Sequence, residues 1–277
     1  MQNWKISASH NPAPLSGSCG TYSSQTSRKT LVHIRLLLYA SLFVLSQGLL
    51  AVLFPTSGKA YEAFAGFQID NEQQYFSYAG LRATLNRPTW FAEPFLQLFA
   101  FRQRFFFRSE GQLLEGQLNQ LTPAVGLNKT INGLTLQVSA GPALRLTQEE
   151  TASTDEEGAV TREKETIRKV GYDLSAYTSY STDGETFEGV FSYTNLSNFF
   201  FGRLRWLHYE FETPQGIPVN PGLELSASGN SDFKESSVGG LLGTEIGKIE
   251  ILLKGGYQNN STFHGGGYGG IELYVRF

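Results

Sequence analysis

Ile271-Glu272-Leu273-Tyr274-Val275-Arg276-Phe277 ends the chain. Ile271, Leu273, Val275 and Phe277 share one face of a strand, and Glu272, Tyr274 and Arg276 share the other. One face is therefore apolar and one polar, with the period of two that marks a strand. A soluble sheet produces the same alternation. The aromatic last residue adds to it, because outer-membrane barrels carry interfacial girdles of aromatic residues where such a closing strand ends.

The opposite end of the sequence agrees. Residues 1–30 are polar and Ser-rich, and Leu31–Phe54 is mostly apolar, broken by His33, Arg35 and Gln47. Gly58 and Ala60 then supply small residues at the spacing of a cleavage site. Residues 1–60 are expected to be a signal peptide with a long n-region, and 61–277 the exported domain. The alternative is a retained anchor, since the apolar stretch is long enough to span. The single cysteine, Cys19, falls in the leader, so the exported domain is expected to use neither disulfide nor thiol. Residues 1–60 hold five of the 22 basic residues and no acidic one, leaving 17 basic against 25 acidic after Ala60, net −8. That balance excludes nucleic acid as an expected partner. No later apolar run approaches the roughly 18 residues of a membrane helix. A membrane-resident domain must then be a barrel, because only helices and closed barrels satisfy their backbone in lipid.

Alternation recurs along the chain. Tyr61–Ile69 and Tyr75–Leu85 alternate, with Arg82 on the polar face of the second. Phe95–Phe107 is an aromatic strand whose facing the pattern leaves open. One arrangement directs Phe95, Phe99, Phe101, Phe105 and Phe107 outward, with Arg102 and Arg104 inside. Leu113–Leu127 leads to Asn132-Gly133, a strong hairpin signal. From Leu134 to Thr147 the alternation has no error: Leu134, Leu136, Val138, Ala140, Pro142, Leu144 and Leu146 share a face, with Gln137 and Arg145 among those opposite. Pro142 is the flaw, because proline cannot donate to a ladder. Gln148–Glu163 is acidic and reads as a loop. Val170–Tyr180, with Tyr177 on its polar face, precedes the Asp183-Gly184 turn. Phe187–Thr194, Phe199–Phe211 (Arg203 and Arg205 polar), Gly222–Ser228, Phe233–Ile246 and Ile249–Tyr257 (Glu250 polar) follow, and a Gly-rich loop near Gly265–Gly267 leads to the final strand.

The expected fold is all-β: an antiparallel, up-and-down, outer-membrane-type β-barrel of about 12 strands, or 10 if two weak ones fail. Loop parity supports it. The long connections, Gln148–Glu163 and Gln258–Gly267, are odd-numbered, and the short turns at Asn132-Gly133, Asp183-Gly184 and Gly247-Lys248 are even-numbered. Long loops on one side and short turns on the other characterise outer-membrane barrels.

No constellation points to catalysis. Only His208 and His264 follow residue 60. A lipid hydrolase barrel needs a base and a nucleophile two apart on one strand, and His208-Tyr209-Glu210 has only the base. His208 reads as a polar lumen residue beside Glu210 and Glu212. The acidic stretch lacks cation-loop spacing, and Gly265-Gly266-Gly267 lacks the features of a nucleotide loop. No catalytic residue, cofactor or metal is therefore expected. Arg82, Gln137, Arg145, Tyr177, Arg203, Arg205, Glu250, Glu272, Tyr274 and Arg276 are expected to line the lumen. There they either fill it with ion pairs or border a passage for a hydroxyl-rich solute.

Several segments resemble the BcsS-type family of cellulose biosynthesis proteins: Tyr75-Phe76-Ser77-Tyr78-Ala79-Gly80, Gly133-Leu134-Thr135-Leu136 leading to Gly141, Phe199-Phe200-Phe201-Gly202-Arg203-Leu204-Arg205, Gly222-Leu223-Glu224 with Gly229-Asn230 and Phe233, and Gly256-Tyr257. Arg87-Pro88 stands where the family pattern has Gly-Asp, and Ser236-Ser237 where it has an Arg. The resemblance implies a non-enzymatic outer-membrane barrel, accessory to making or exporting cellulose. Its expected partners are outer-membrane lipid and cellulose chains or the synthase and export components. The competing readings are a general small porin and an outer-membrane lipid-modifying enzyme.

Overall fold

The computed structural model describes residues 61–85, 91–109, 112–154, 160–209, 211–213, 216, 218–231, 233–263 and 265–277. The expected signal peptide, His264, Glu210 and the tip of the acidic stretch at 155–159 lie outside the described residues.

Among the described residues thirteen strands follow in order: β1 (Tyr61–Asp70), β2 (Tyr75–Thr84), β3 (Glu93–Ser109), β4 (Gln112–Ile131), β5 (Leu134–Thr154), β6 (Val160–Ser181), β7 (Glu185–Thr194), β8 (Phe199–His208), β9 (Phe211–Glu212), β10 (Pro218–Gly229), β11 (Lys234–Ile246), β12 (Ile249–Asn260) and β13 (Gly266–Arg276). Each pairs antiparallel with its neighbours, and β13 pairs with β1 to close the sheet on itself. The Phe277 N–H donates to the Tyr61 carbonyl at 2.9 Å, which ties the ends of the described barrel together. Two-residue β9 only flanks β10, and β8 pairs with β10 directly, so twelve strands form the wall. Closure removes the sheet edge that a lipid environment would leave unsatisfied.

Local chemistry sets the short turns. Asn132 and Gly133 both have positive φ, 48° and 81°, as a type I′ hairpin requires. Gly247 at φ 65° begins the turn between β11 and β12. Both turns lie at the end of the barrel that carries Tyr61 and Phe277, here the terminal end; the opposite end is the far end.

The faces are inverted relative to a soluble protein. Leu136, Val138 and Leu144 of β5 are exposed outward, while Ala143, Arg145 and Thr147 between and beside them are buried. The same inversion holds on β10, where Leu223 and Leu225 are exposed and Glu224 is 2 % exposed. Outward aromatic residues, exposed or half-buried, border the apolar band. Tyr180, Phe187 and Trp206 sit opposite one another on β6, β7 and β8 near the terminal end, and Tyr193 and Phe200 face each other toward the far end. An outward apolar band between aromatic borders is the surface a bilayer covers.

Two expected loops are shorter than the composition suggested. Gln148–Glu163 is mostly strand: β5 runs to Thr154 and β6 begins at Val160, with Gln148 opposite Thr166 and Glu150 opposite Lys164. The ladder carries the strands on past the apolar pattern, with Glu150 facing Lys164 across it and Glu149 facing Glu165. Gln258–Gly267 likewise contracts to 261–265, because β12 reaches Asn260 and β13 starts at Gly266. Pro142 does not break β5. It stands opposite Pro123 in an unshifted register, and the β4–β5 ladder is interrupted only between the Leu121–Leu144 and Val125–Ala140 pairs. The two missing donors fall in one gap.

Candidate functional site: the charged lumen

The inward faces of β8, β10, β12 and β13 bring five charges together. Arg205 on β8 lies directly across from Glu224 on β10, and its Nε donates to Glu224 Oε2 at 2.6 Å. Arg205 Nη2 also lies 2.6 Å from both Glu224 Oε2 and Glu272 Oε1. Arg203, two residues earlier and on the same face, donates to Glu272 Oε1 at 3.2 Å. Lys254 on β12 adds contacts of 3.0 Å to Glu272 and 3.5 Å to Glu224. Gly270 opposite Lys254 makes room for that side chain: a Cβ there would lie 3.0 Å from Lys254 Cε. Three cations thus surround two carboxylates.

The tie crosses the barrel, since β8 and β13 are separated in the sheet by β10, β11 and β12. Tyr78 of β2 also lies against Glu272, from the other side. Eight-stranded barrels fill with ordinary side chains, and sixteen-stranded ones leave a channel. At twelve strands, long side chains are needed to meet in the middle, and Arg203, Arg205 and Lys254 supply them. Burying such charges is costly unless each is paired, and here every carboxylate has at least two cationic partners.

An aromatic wall faces this tie. Phe64, Tyr274, Phe99, Tyr78, Phe101 and Phe76 form a continuous ring cluster, with centroid separations from 5.5 Å for Phe76–Phe101 to 6.4 Å for Phe64–Tyr78. Glycines make the inward placement possible. A Cβ on Gly66 would meet the Tyr78 ring at 2.5 Å, and one on Gly80 the Phe64 ring at 2.2 Å. The outward arrangement considered for Phe95, Phe99, Phe101 and Phe105 of β3 is therefore reversed, and the Phe107 side chain lies outside the described residues. Phe95 is buried over Gly126, Phe99 and Phe101 join the wall, and the Phe105 ring packs over Gly116. Leu96 and Leu98 face out, with exposed Arg102 and with Arg104, whose guanidinium pairs with Glu115 at 2.9 Å. Aromatic rings suit either a lipid face or a lumen, and the glycines opposite, on β1, β2 and β4, decide which.

The ten expected lumen residues all lie on inward faces, at different heights. Arg203, Arg205 and Glu272 belong to the central tie. Arg145 donates to Gln120 at 2.9 and 2.7 Å and to Ser197 at 2.8 Å, toward the far end, where Gln120 also donates to Asp173 at 3.2 Å. Arg82 pairs with Glu62 at 2.9 Å, and Tyr177 donates to Glu188 at 2.9 Å, both toward the terminal end. Gln137 stands opposite Tyr177. Glu250, Tyr274 and Arg276 line a cleft of about 160 Å³ at the terminal mouth with Glu245, Lys248 and Phe277. The Tyr209 hydroxyl, in the segment after β8, is raised above the ordinary phenol range. Partial burial is the main cause, the hydrogen bond with Thr186 opposes it, and the Glu250, Glu188 and Glu245 carboxylates add to it. Glu224 and Lys254 were not among the expected residues, although both occupy polar positions in alternating strands.

His208 is not a lumen residue. It shares the outward face of β8 with Trp206, ring centroids 5.9 Å apart, and its Nδ1 lies 3.9 Å from Glu185 of β7. Parity explains it. Arg203, Arg205 and Leu207 point in, so 208 points out, into the aromatic border. Glu212, exposed on β9, is not buried in a shared polar core with it.

The family description "Cellulose biosynthesis protein BcsS" matches residues 95–277, and the chain belongs to that family. The translocator domain of the autotransporter NalP from Neisseria meningitidis is similar at 12 % identity and a TM-score of 0.50, covering 94 % of this chain and 100 % of that one. The β domain of the Bordetella autotransporter BrkA is similar at 12 % identity and a TM-score of 0.47, covering 79 % and 98 %. LpxR from Salmonella typhimurium is similar at 10 % identity and a TM-score of 0.40, covering 78 % and 99 %. No curated protein sequence matches the chain.

Proposed function

As a member of the BcsS family, this protein is, we propose, a non-enzymatic barrel of the Gram-negative outer membrane with an accessory role in cellulose synthesis or export. Its terminal end faces the periplasm and its far end the exterior. Family membership and the outward apolar band support the role and the location. The observation that carries the mode of action is the Arg205 tie to both Glu224 and Glu272. A barrel laced through its middle is a closed scaffold, and a cellulose chain is met at its mouths and not passed through it.

The periplasmic mouth has suitable chemistry for that contact. Glu245, Glu250, Tyr274 and Arg276 offer hydrogen-bonding groups around an open cleft, as a hydroxyl-rich chain or an export component requires. The test has two arms. Deleting the gene should lower cellulose-specific dye binding, and the wild-type gene should restore it. Purified protein in planar bilayers should show no steady conductance, whereas Arg203→Ala/Arg205→Ala should. Dye binding unchanged by the deletion removes the cellulose role, and wild-type conductance removes the closed scaffold and favours a porin.

A further inference from the structure

Four neighbouring strands, β3 to β6, run 17 to 22 residues, while the other wall strands run 10 to 13. The excess lies at the far end, beyond the apolar band. On their outward face, chemistry changes at one step of the register. Ala100, Leu121, Leu144 and Val170 form one cross-strand row, and Val170 is 76 % exposed. The next outward row is Arg102, Asn119, Leu146 and Arg168, and the one after it Arg104, Gln117, Gln148 and Thr166.

The charges beyond the band are not equivalent. Arg104 is held by two hydrogen bonds to Glu115, at 3.0 and 2.9 Å, and Lys164 lies 3.6 Å from Glu150. Arg102 and Arg168 are exposed, and among the described residues neither has a carboxylate partner. They stand at the two ends of one row, roughly 14 Å apart by three inter-strand spacings. Both project outward immediately past the last apolar row.

We propose that Arg102 and Arg168 form a binding surface for the phosphate groups of anionic lipid in the leaflet that surrounds the far end. The position commits the ligand. A surface continuous with the lipid-covered band, facing away from the lumen, meets headgroups before it meets solutes. Guanidinium matches phosphate by paired, charge-assisted hydrogen bonds. The overhanging strands lay two such groups along the headgroup layer, and Arg104 and Lys164, neutralised by their own carboxylates, leave the pair as the acceptors of anionic charge.

The inference rests on the membrane placement and not on the cellulose role. The test compares the barrel in phosphatidylcholine vesicles with vesicles containing a minor fraction of lipid A, reading lipid A affinity from the shift in thermal unfolding midpoint. Lipid A should raise the midpoint of the wild type. Arg102→Gln/Arg168→Gln should insert normally, keep its midpoint in phosphatidylcholine, and bind lipid A about thirty-fold more weakly, the factor for losing two cations at an anionic surface. An equal shift in the variant, or with dephosphorylated lipid A, overturns the proposal. A shift reproduced by inorganic phosphate in phosphatidylcholine vesicles also overturns it, since the site then takes free phosphate. Failure of the wild type to insert into either vesicle would instead sink the membrane placement.

Discussion

Glu272 is the residue on which the lumen depends most. It accepts from Arg203 and Arg205 and neutralises Lys254, and it is buried. Glu272→Ala would leave three cations around Glu224 alone. Removing one member of a buried ionic group typically costs about 3–5 kcal/mol. The urea midpoint of the folded, unboiled species should fall accordingly, and Arg82→Gln, at the more exposed Glu62 pair, should move it much less. Gly141 is a second single-residue constraint. A Cβ there would clash with the Pro123 carbonyl and the Ala124 Cα, both backbone atoms. Gly141→Ala must push β4 and β5 apart and should destabilise by about 1–3 kcal/mol or more. Gly184→Ala, whose Cβ would meet nothing within 4 Å, serves as its control.

At the level of elements, the far-end extension separates from the barrel proper. Gln148–Thr154 and Val160–Thr166 pair with each other, and only Gln148 and Glu149 also reach β4, at Gln117 and Gly116. Replacing 148–166 with Asn-Gly, to close a hairpin on the Thr147–Ile167 pair, should leave a barrel that still migrates fast unboiled and slows on boiling. Loss of that shift would show that the extension is needed for assembly. The same elements illustrate a limit of reading by composition. Glu149, Glu150, Glu163 and Glu165 signal a loop when taken as a run. In the sheet Glu150 takes one face and Glu149, Glu163 and Glu165 the other, and a ladder already fixed at Leu144–Val170 continues through them at little further entropic cost.

For the whole molecule, the closed sheet and the central tie predict opposite responses to two perturbations. Boiling opens the barrel, so mobility should change sharply with heat. Neutralising the tie opens only the lumen, so Arg203→Ala/Arg205→Ala should conduct ions while remaining heat-modifiable. A variant that conducts only after losing heat-modifiability would mean that the tie holds the wall together and does not block the lumen.

The sequence by itself determined the barrel and its inside. Period-two alternation with apolar residues on one face is a local property, and strand after strand shows it, so a wall of about twelve strands is legible in it, and Arg145, Arg203, Arg205 and Glu272 each fall on the polar face of their strand. The hairpin at Asn132-Gly133 is equally local, because both residues tolerate positive φ. Tertiary structure decided two further things. It turned Phe95, Phe99, Phe101 and Phe105 of β3 inward, with Gly126 and Gly116 of β4 holding the space that the Phe95 and Phe105 rings need. It joined Arg205 to Glu272, 67 positions apart, along with Lys254 and Glu224. Parity fixes which face a side chain takes. Which side chains meet depends on the curvature that brings β8 across from β13, and that curvature exists only once β1 and β13 have closed the ring.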